Sequence, residues 1–223
     1  MTFRNRLQYL LVVRLQISNK EALNLIFSGS IFVNGISIKS NCELTQTDEV
    51  RYQGKILQEA KKLIYIAFYK PRGIETTLNT EILDNLKDIL PFEYDVFPVG
   101  RLDKESEGLL LLTNDGTVYD KILRNENKTE KDYIVKVDKE ISEVFLENMS
   151  SGITIMGKKT LPSKITKIDD YSFKITLIQG LNRQIRRMCY KLNYEVLSLK
   201  RIRIGNVKLG DLKSGEYEVL TKF

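Results

Sequence analysis

The chain contains no histidine, and its two cysteines, Cys42 and Cys189, are far apart among its 223 residues. Without histidine, serine–histidine triads, imidazole acid–base catalysis and histidine-based zinc sites are excluded. A Cys-x-x-Cys pair and the two common glycine-rich nucleotide-binding motifs are also absent from the sequence. Any catalysis must therefore rest on carboxylate, lysine, arginine, tyrosine or serine side chains, and we expect neither a metal nor a nucleotide cofactor.

Long hydrophobic runs are missing as well. No apolar run approaches the ~18 residues of a membrane span. The leucine- and valine-rich N-terminal segment is interrupted by Gln8 and Arg14, and it has no small-residue cleavage site. Hydrophobic residues nevertheless make up 42% of the sequence and charged residues 29%. We therefore expect a substantial core, no membrane partner and a cytoplasmic location.

Acidic residues are scarce in one part of the chain. The net charge is +6, and segment 180–208 carries this whole excess because Glu195 is its only acid. The eight cations of the segment are Arg183, Arg186, Arg187, Lys191, Lys200, Arg201, Arg203 and Lys208. A basic cluster of this kind is typical of proteins that bind a phosphate backbone.

Residues 99–116 combine a predicted buried strand with a charged loop. The unbroken apolar run Leu109–Leu112, closed by an Asn-Asp-Gly turn, predicts a strand that is buried on both faces. Just before it, Asp103 stands between Arg101 and Lys104 in a loop bounded by glycines. Loops set on a rigid strand are frequent places for chemistry. A solvated turn whose charges offset one another gives the same pattern.

The four residues Gly100-Arg101-Leu102-Asp103, followed by Gly-Leu-Leu-Leu-Leu-Thr-Asn-Asp-Gly over 108–116, resemble the signature motif of the RsuA-type pseudouridine synthases. In that family the aspartate of the motif is the catalytic nucleophile, which implies this role for Asp103. Pseudouridine formation is an isomerisation, an intramolecular transfer that breaks the C–N bond between base and sugar and rejoins the base through carbon. Nothing is lost or added, so the resemblance implies an enzyme without a cofactor.

Three further stretches resemble the same family. Residues 69–73, Tyr-Lys-Pro-Arg-Gly, are similar to the start of its catalytic domain. Tyr133, at the head of a predicted strand over 131–138, corresponds to a tyrosine that stacks on the target base. On the strand pattern alone, a core position is the more common role for such a tyrosine. Residues 180–188 resemble the motif whose arginine pairs with the catalytic aspartate, which implies that role for Arg186.

The resemblance also implies roles for residues around these motifs. Leu199 resembles the family's apolar contact to the base. Arg101 resembles the side chain that fills the space left when the target base is flipped out of its stack. The remaining candidates for RNA contact in this half of the chain are Lys104, Asn182, Arg183, Gln184, Arg187 and Arg201.

Residues 1–58 form a separate predicted domain. They contain helical apolar spacing over 6–14, a second helix with a capping box at Ser18 and Glu21, and an Asn-Gly hairpin over 31–38. This arrangement resembles the S4 RNA-binding domain.

The S4 family tends to have two basic residues early in its second helix, and here only Lys20 stands there. The candidate RNA contacts of this domain are Arg6, Lys20 and Asn34. A small packing module without a ligand is the alternative interpretation.

The second half of the chain predicts a mixture of helices and strands. Helices are predicted over 81–90, 116–125, 141–149 and 182–192, the last one capped by Asn182, and strands over 63–69, 153–168, 171–178, 196–209 and 216–220.

The sequence therefore predicts an α+β protein with a small N-terminal S4-like α/β RNA-binding domain over 1–58. A catalytic domain of the pseudouridine synthase fold, with a mixed, largely antiparallel sheet, follows over 63–223. Residues 97–99, 121–124 and 130–133 look most like the RluF-type enzymes, which act on large-subunit ribosomal RNA. This resemblance implies 23S rRNA or its assembly intermediates as partner. Whether a tRNA is also a substrate stays open, and we expect a monomer. A small-subunit rRNA or tRNA pseudouridine synthase, and a non-catalytic S4-type RNA-binding or ribosome-assembly factor, remain as alternatives.

Overall fold

The structure is a computed structural model that describes residues 3–123 and 129–223. The chain divides into two compact units, Met1–Leu63 and Ile64–Phe223. Among the described residues, no helix is both long enough and apolar enough to cross a membrane.

The N-terminal unit begins with two helices. A 3₁₀ turn over Phe3–Asn5 leads into α1, Leu7–Leu15, and α2 follows over Asn19–Phe27. The predicted capping box is present, because the Ser18 hydroxyl accepts from the Glu21 backbone N–H while the Glu21 carboxylate accepts from the Ser18 backbone N–H. The start of α2 therefore follows from a local sequence signal.

A small antiparallel sheet completes this unit. Its strands are β1, Ile31–Val33, β2, Ile36–Ile38, β3, Val50–Tyr52, and β4, Lys55–Gln58, in the order β2-β1-β3-β4. The β1–β2 turn is the predicted Asn34-Gly35 turn, and both residues have the positive φ that a tight hairpin turn requires. Leu7, Leu11, Ala22, Ile26, Ile31 and Val50 are fully buried in its core.

The C-terminal unit is built on a nine-stranded sheet with a separate two-stranded hairpin. The strands in chain order are β5, Tyr65–Lys70, β6, Phe97–Pro98, β7, Glu107–Thr113, β8, Lys131–Val137, β9, Thr154–Ile155, β10, Lys158–Lys159, β11, Lys164–Asp169, β12, Ser172–Leu177, β13, Val196–Ile204, β14, Val207–Lys208, and β15, Tyr217–Leu220. The main path runs β11-β12-β8-β13-β7-β5-β15, with β14 on β13 and β6 on β7, while β9 and β10 form the hairpin. In this described sheet only β13 and β7 pair in parallel, so the predicted mixed, largely antiparallel sheet is confirmed.

Strand β7 lies at the centre of this sheet and is buried on both faces, as its apolar run predicts. Its residue Gly108 has φ +104, and a Cβ atom there would stand 2.3 Å from the Arg201 carbonyl oxygen. Only glycine therefore allows β7 and β13 to approach each other at this point.

Four helices lie in the described part of this unit. They are α3, Leu86–Ile89, α4, Gly116–Leu123, α5, Glu143–Ser151, and α6, Gln184–Lys191. The predicted apolar stripe of α6 is buried at Ile185, Met188 and Cys189. Arg124 and Asn125, which the sequence places at the end of α4, lie outside the described residues.

Three predicted elements are wrong in extent. The helix predicted over 81–90 covers only Leu86–Ile89, because Asp84 has φ 56 and the side chain of Asn85 caps a helix that begins after it. The strand predicted over 153–168 turns back at Met156 and Gly157 to form the β9–β10 hairpin. The strand predicted over 196–209 turns at Gly205, φ +55, so that β14 pairs with the end of β13.

Candidate active site

A cleft of about 350 Å³ lies where the loop before β7 meets β8, β13 and the segment before α6. It brings together residues that are far apart in sequence. The predicted site residues that line it are Arg101, Asp103, Tyr133, Asn182, Arg183, Gln184, Leu199 and Arg201. Lys104, Arg186 and Arg187 are not among its lining residues.

The half-buried side chain of Asp103 lines this cleft from a tight loop. The Ser106 backbone N–H donates to the Asp103 carbonyl oxygen at 2.9 Å, which closes the turn. Over residues 3–123 and 129–223, neither a hydrogen bond nor an ion pair engages the Asp103 carboxylate. The backbone of this loop is therefore fixed while its carboxylate is free to meet a ligand.

The chain around residues 70–76 fixes the loop on both sides of Asp103. The Thr76 hydroxyl donates to the Leu102 carbonyl at 2.6 Å and accepts from the Leu102 backbone N–H at 3.2 Å. The Gly73 backbone N–H donates to the Lys104 carbonyl at 2.8 Å. Both peptide neighbours of Asp103 are thus tied to one segment.

Lys70, at the end of β5, is a fully buried cation close to the Asp103 loop. Its Nζ donates to the carbonyl oxygens of Pro71 at 2.7 Å and Ile74 at 2.6 Å. Burial lowers the pKa of Lys70 to about 8, while the carboxylates of Glu75 and Asp103 oppose this effect. The ammonium group thereby holds the segment that carries Gly73 and Thr76.

Tyr133 and Leu199 form the aromatic and apolar part of the cleft lining. They come from the neighbouring strands β8 and β13 and are 9% and 6% exposed. Both also belong to the core cluster of this unit. The same packing that makes Tyr133 a core residue therefore also fixes its position in the cleft.

Arg186, on α6, reaches the Asp103 loop through backbone contacts. Its Nη2 donates to the Glu105 carbonyl at 2.8 Å and its Nη1 to the Val196 carbonyl at 3.1 Å. Its Nε is buried and has no partner among the described residues. Burial and then the Arg183 charge lower the pKa of Arg186, whereas the Asp103 charge opposes them. Arg186 therefore contacts the backbone of the Asp103 loop, and among the described residues no ion pair joins the Arg186 and Asp103 side chains.

Arg201, on β13, is a buried arginine that binds backbone carbonyls on both sides of Asp103. It is 4% exposed, and its Nε donates to the Leu109 carbonyl at 2.7 Å and its Nη1 to the Arg101 carbonyl at 3.2 Å. Its Nη2 is buried without a partner in the described part of the chain. These contacts join β13 to the residues that precede and follow Asp103.

The segment before α6 differs from the prediction in its cap. Residue Arg183, with φ 50, is the N-cap of α6 and makes no capping side-chain hydrogen bond, so the predicted Asn182 cap is wrong. Asn182 instead accepts from the Arg187 guanidinium through its carbonyl at 3.0 Å and its Oδ1 at 3.1 Å. The buried Gln184 side chain accepts from the Leu181 backbone N–H at 3.1 Å. The side chains of Asn182 and Gln184 therefore fix the shape of the segment that leads into α6.

Arg101 and Lys104 are more exposed members of the Asp103 loop. The Arg101 side chain is 78% exposed and lies 4.0 Å from the Glu75 carboxylate. The Lys104 ammonium lies 3.1 Å from Asp84. Arg101 is thus the cation with the greater freedom at the cleft.

The candidate RNA contacts of the N-terminal unit differ in whether their side chains are exposed or bonded within the unit. Arg6 and Lys20 are exposed. The Asn34 amide instead donates to the Asp48 carboxylate at 2.7 Å and accepts from the Glu49 backbone N–H at 2.9 Å. Asn34 therefore holds the hairpin of its own unit.

The sequence of residues 64–191 matches the family described as RNA pseudouridylate synthase. This match covers more than half of the chain and includes the Asp103 loop, Tyr133 and Arg186. The chain belongs to this family.

The relatives of the chain among the RNA pseudouridylate synthases are similar over most of its length. The dual-specificity RNA pseudouridine synthase RluF of Escherichia coli K12 is 44% identical over 92% of this chain and 71% of that protein. The ribosomal large subunit pseudouridine synthase B of Bacillus subtilis 168 is 31% identical over 92% of this chain and 87% of that protein.

A crystal structure of a pseudouridylate synthase covers 97% of this chain and 96% of its own, with a TM-score of 0.68 and 28% identity. The chain is accordingly an RNA pseudouridine synthase, an isomerase, and the predicted RsuA-type resemblance and fold class are confirmed.

Sequence reasoning missed the loop-holding role of residues 70–76 in this pseudouridine synthase. The Tyr-Lys-Pro-Arg-Gly stretch marked the start of the catalytic domain but gave no sign that Lys70 is fully buried or that Thr76 meets Leu102. Within residues 3–123 and 129–223, no group of three or more Cys, Asp and Glu side chains is placed to hold a metal ion.

A second aspartate of the pseudouridine synthase, Asp132, was also missed. Its side chain is 4% exposed and accepts from Arg203 Nε at 2.9 Å and Nη2 at 2.7 Å, from Lys174 at 2.9 Å and from Thr176 at 2.8 Å. The bonds from Arg203, ahead of those from Lys174 and Thr176, hold the pKa of Asp132 well below its usual range. Arg203 also donates to Glu130 at 2.7 Å, so this network ties β8 to both neighbouring strands.

Proposed function

We propose that this enzyme converts a uridine of large-subunit (23S) ribosomal RNA into pseudouridine, with Asp103 as the nucleophile. Tyr133 stacks on the base, and Arg186 supplies positive charge near Asp103 while its guanidinium binds the Glu105 carbonyl of the loop. The observation that carries this proposal is an aspartate without a bonded partner among the described residues, in a cleft lined by Tyr133 and Leu199. An ionised carboxylate, an aromatic surface and an apolar wall are what the reaction requires.

The reaction proceeds by exchange of bonds at C1′ of the sugar. A carboxylate oxygen of Asp103 attacks C1′, and the bond from C1′ to N1 breaks, with its electron pair leaving on the uracil. The uracil turns until C5 faces C1′. C5 then attacks C1′, the Asp103 ester bond breaks and the carboxylate is regenerated. The C5 proton is lost and N1 takes up a proton, so the product has the composition of the substrate.

The surrounding residues hold the reacting groups in place and form no bond to them. Tyr133 and Leu199 hold the detached uracil so that it turns without leaving the cleft. Arg186 and Arg201 hold the backbone of the Asp103 loop and place positive charge around it. Arg101, exposed at the cleft, fills the space that the flipped base leaves in the RNA.

The relatives support ribosomal RNA as the substrate class. One is named for the large ribosomal subunit, and another is named as a dual-specificity enzyme. The second name makes an additional RNA substrate, a small-subunit rRNA or a tRNA, the alternative to test. A non-catalytic RNA-binding factor would not need Asp103, Tyr133 and Arg186 together around one cleft.

The experiment that tests this function uses transcripts of 23S rRNA, 16S rRNA and tRNA that carry tritium at C5 of uridine. Tritium enters water only when C5 forms its new bond. We expect release from 23S rRNA by the wild-type chain and none by Asp103→Asn. Release from 16S rRNA or tRNA, without release from 23S rRNA, would show that the substrate is the alternative RNA. Release from none of the three transcripts would reject the proposed function.

We also propose that the two compact units are two domains and that the N-terminal one is an S4-type RNA anchor. Arg6 and Lys20 are its exposed candidate contacts. The full-length double variant Arg6→Glu/Lys20→Glu is expected to bind 23S rRNA about tenfold more weakly, with a smaller salt dependence, because each lost phosphate contact reduces the salt slope by ~1. Unchanged affinity at low salt would contradict the anchor role.

A further inference from the structure

A second groove, of about 490 Å³, runs along the exposed side of α6. Arg183 lines both this groove and the cleft that contains Asp103. The two depressions therefore share one wall at the start of α6. An RNA strand whose target uridine occupies the cleft therefore has the groove as its neighbour at Arg183.

The groove is basic. Arg183, Arg187 and Lys191 line it, and Glu195 is the only acid among the residues that do. In the described part of the chain, no ion pair engages Arg183 or Lys191. Arg187 is exposed and is held in place by its two hydrogen bonds to Asn182. These charges are therefore available to phosphate groups.

Tyr190 places an exposed aromatic ring between these cations. It is 78% exposed, and among the described residues it has no ring contact or hydrogen bond through its side chain. Tyr194, which also lines the groove, instead packs on Phe145 at 4.3 Å between ring centroids and donates to the Glu140 carbonyl at 2.9 Å. Only Tyr190 of this pair presents a free face.

We propose that this groove binds an unpaired RNA segment next to the target uridine, with one base stacked on Tyr190 and phosphates on Arg183 and Lys191. The proposal rests on the proposed function, since it places the RNA by way of the Asp103 cleft. An aromatic ring among cations is the arrangement that recognises single strands without regard to sequence, because every base has a face that stacks. Duplex RNA hides those faces and is expected to bind the groove less well.

Tryptophan provides a direct probe, because the chain contains none. Tyr190→Trp keeps an aromatic ring at the position and adds a single fluorophore that base stacking quenches. The matched control is Tyr171→Trp, since Tyr171 is 48% exposed but stands beside Asp169 and Asp170. With a 20-nucleotide unpaired RNA of mixed sequence, we expect quenching at position 190 and none at position 171. A hairpin of the same length should quench position 190 much less.

The affinity of the unpaired RNA gives a second measurement. Tyr190→Ala is expected to weaken its binding about 5- to 20-fold, the lower part of the range for one stacked base, while Tyr171→Ala changes it less than twofold.

Three results would overturn the groove proposal. They are the absence of quenching at position 190, equal quenching by the hairpin, and an affinity of Tyr190→Ala within twofold of the wild type. Failure of the proposed function has a different signature, since the wild type itself would then release no tritium from any of the three transcripts.

Discussion

Two aspartates of the C-terminal unit, Asp103 and Asp132, meet opposite surroundings. Asp132 is nearly inaccessible and receives hydrogen bonds from Arg203, Lys174 and Thr176. Asp103 is half-buried in the cleft, and in residues 3–123 and 129–223 its carboxylate receives none, although two arginines bind the backbone around it. In one case the cations hold the carboxylate itself, and in the other they hold the chain that carries it.

This difference shows how the same residue types serve structure and chemistry. A carboxylate that four donors surround cannot attack a sugar, because it would leave Arg203 and Lys174 without their counter-charge. A carboxylate on a fixed backbone keeps its lone pairs for the substrate while its position is maintained. The proposed roles of the two aspartates therefore predict opposite responses to the same substitution.

The largest effect is expected from Asp103→Asn. The amide keeps the size of the side chain but has no charge to attack C1′, so single-turnover tritium release should fall by at least ~10³-fold. Its affinity for 23S rRNA should stay within about twofold and its free energy of unfolding within ~0.5 kcal/mol. Substantial release by this variant would remove Asp103 from the mechanism.

The next largest effect distinguishes Arg186 from Arg183. If Arg186 acts on Asp103 by charge and by holding the Glu105 carbonyl, Arg186→Gln should slow the single-turnover rate about 100-fold while the affinity changes little. Arg186→Lys should recover part of this rate, because it keeps the charge but not the planar fork. Arg183→Gln should instead reduce affinity and its salt dependence. Equal single-turnover rates for the two glutamine variants would contradict this assignment.

A smaller effect is expected from Thr76, which ties the loop beside Asp103. Thr76→Val removes both hydrogen bonds to Leu102 at nearly constant volume, and we expect the single-turnover rate to fall about tenfold with unchanged RNA affinity. Thr76→Ser keeps the hydroxyl and should restore the rate. If serine and valine behave alike, the hydroxyl does not position the loop.

The smallest effect on rate, but a clear effect on stability, is expected from Asp132→Asn. Loss of the charged network should lower the free energy of unfolding by about 2 kcal/mol at pH 7, with the rate at saturating enzyme within about threefold of the wild type. Because the folded state lowers the pKa of Asp132, its stabilisation is complete above about pH 5. The stabilisation begins to fall near the unfolded pKa of ~4 and continues to fall until the pH reaches the lowered pKa of the folded state. Denaturant unfolding of both chains between pH 3 and pH 7 measures this, and a difference that stays constant down to pH 3 would contradict the lowered pKa.

The features that were predicted correctly from the sequence are those that depend on residues close together in the chain. The Ser18 box, the Asn34-Gly35 hairpin and the buried β7 follow from local signals. The breaks at Met156 and Gly205 were missed. Beyond Gly205 the apolar alternation resumes at Val207 and Leu209, so the strand pattern continues across that turn.

The candidate site was predictable only in part. The motif resemblance identified Asp103, Tyr133 and Leu199, which line one cleft. The bond from Thr76 to Leu102 joins residues that are 26 positions apart, and no pattern in either segment points to the other. Asp132 was missed because an acidic residue in an alternating strand is expected to face water, and only the folded sheet brings Arg203 and Lys174 to it.

The parallel pairing of β13 with β7 has a consequence for the order in which the parts of the sheet fold during synthesis of the chain. In the main sheet, β13 alone joins the part that contains β7 and β5 to the part that contains β8 and β12. On the ribosome, the two parts can form separately as their strands emerge, but they are joined only when residues 196–204 have left the exit tunnel. Contacts that span about a hundred residues also form late in refolding, since their loop-closure cost comes before their gain. We therefore expect nascent chains that end before residue 204 to lack synthase activity, because the two parts of the sheet are not yet joined.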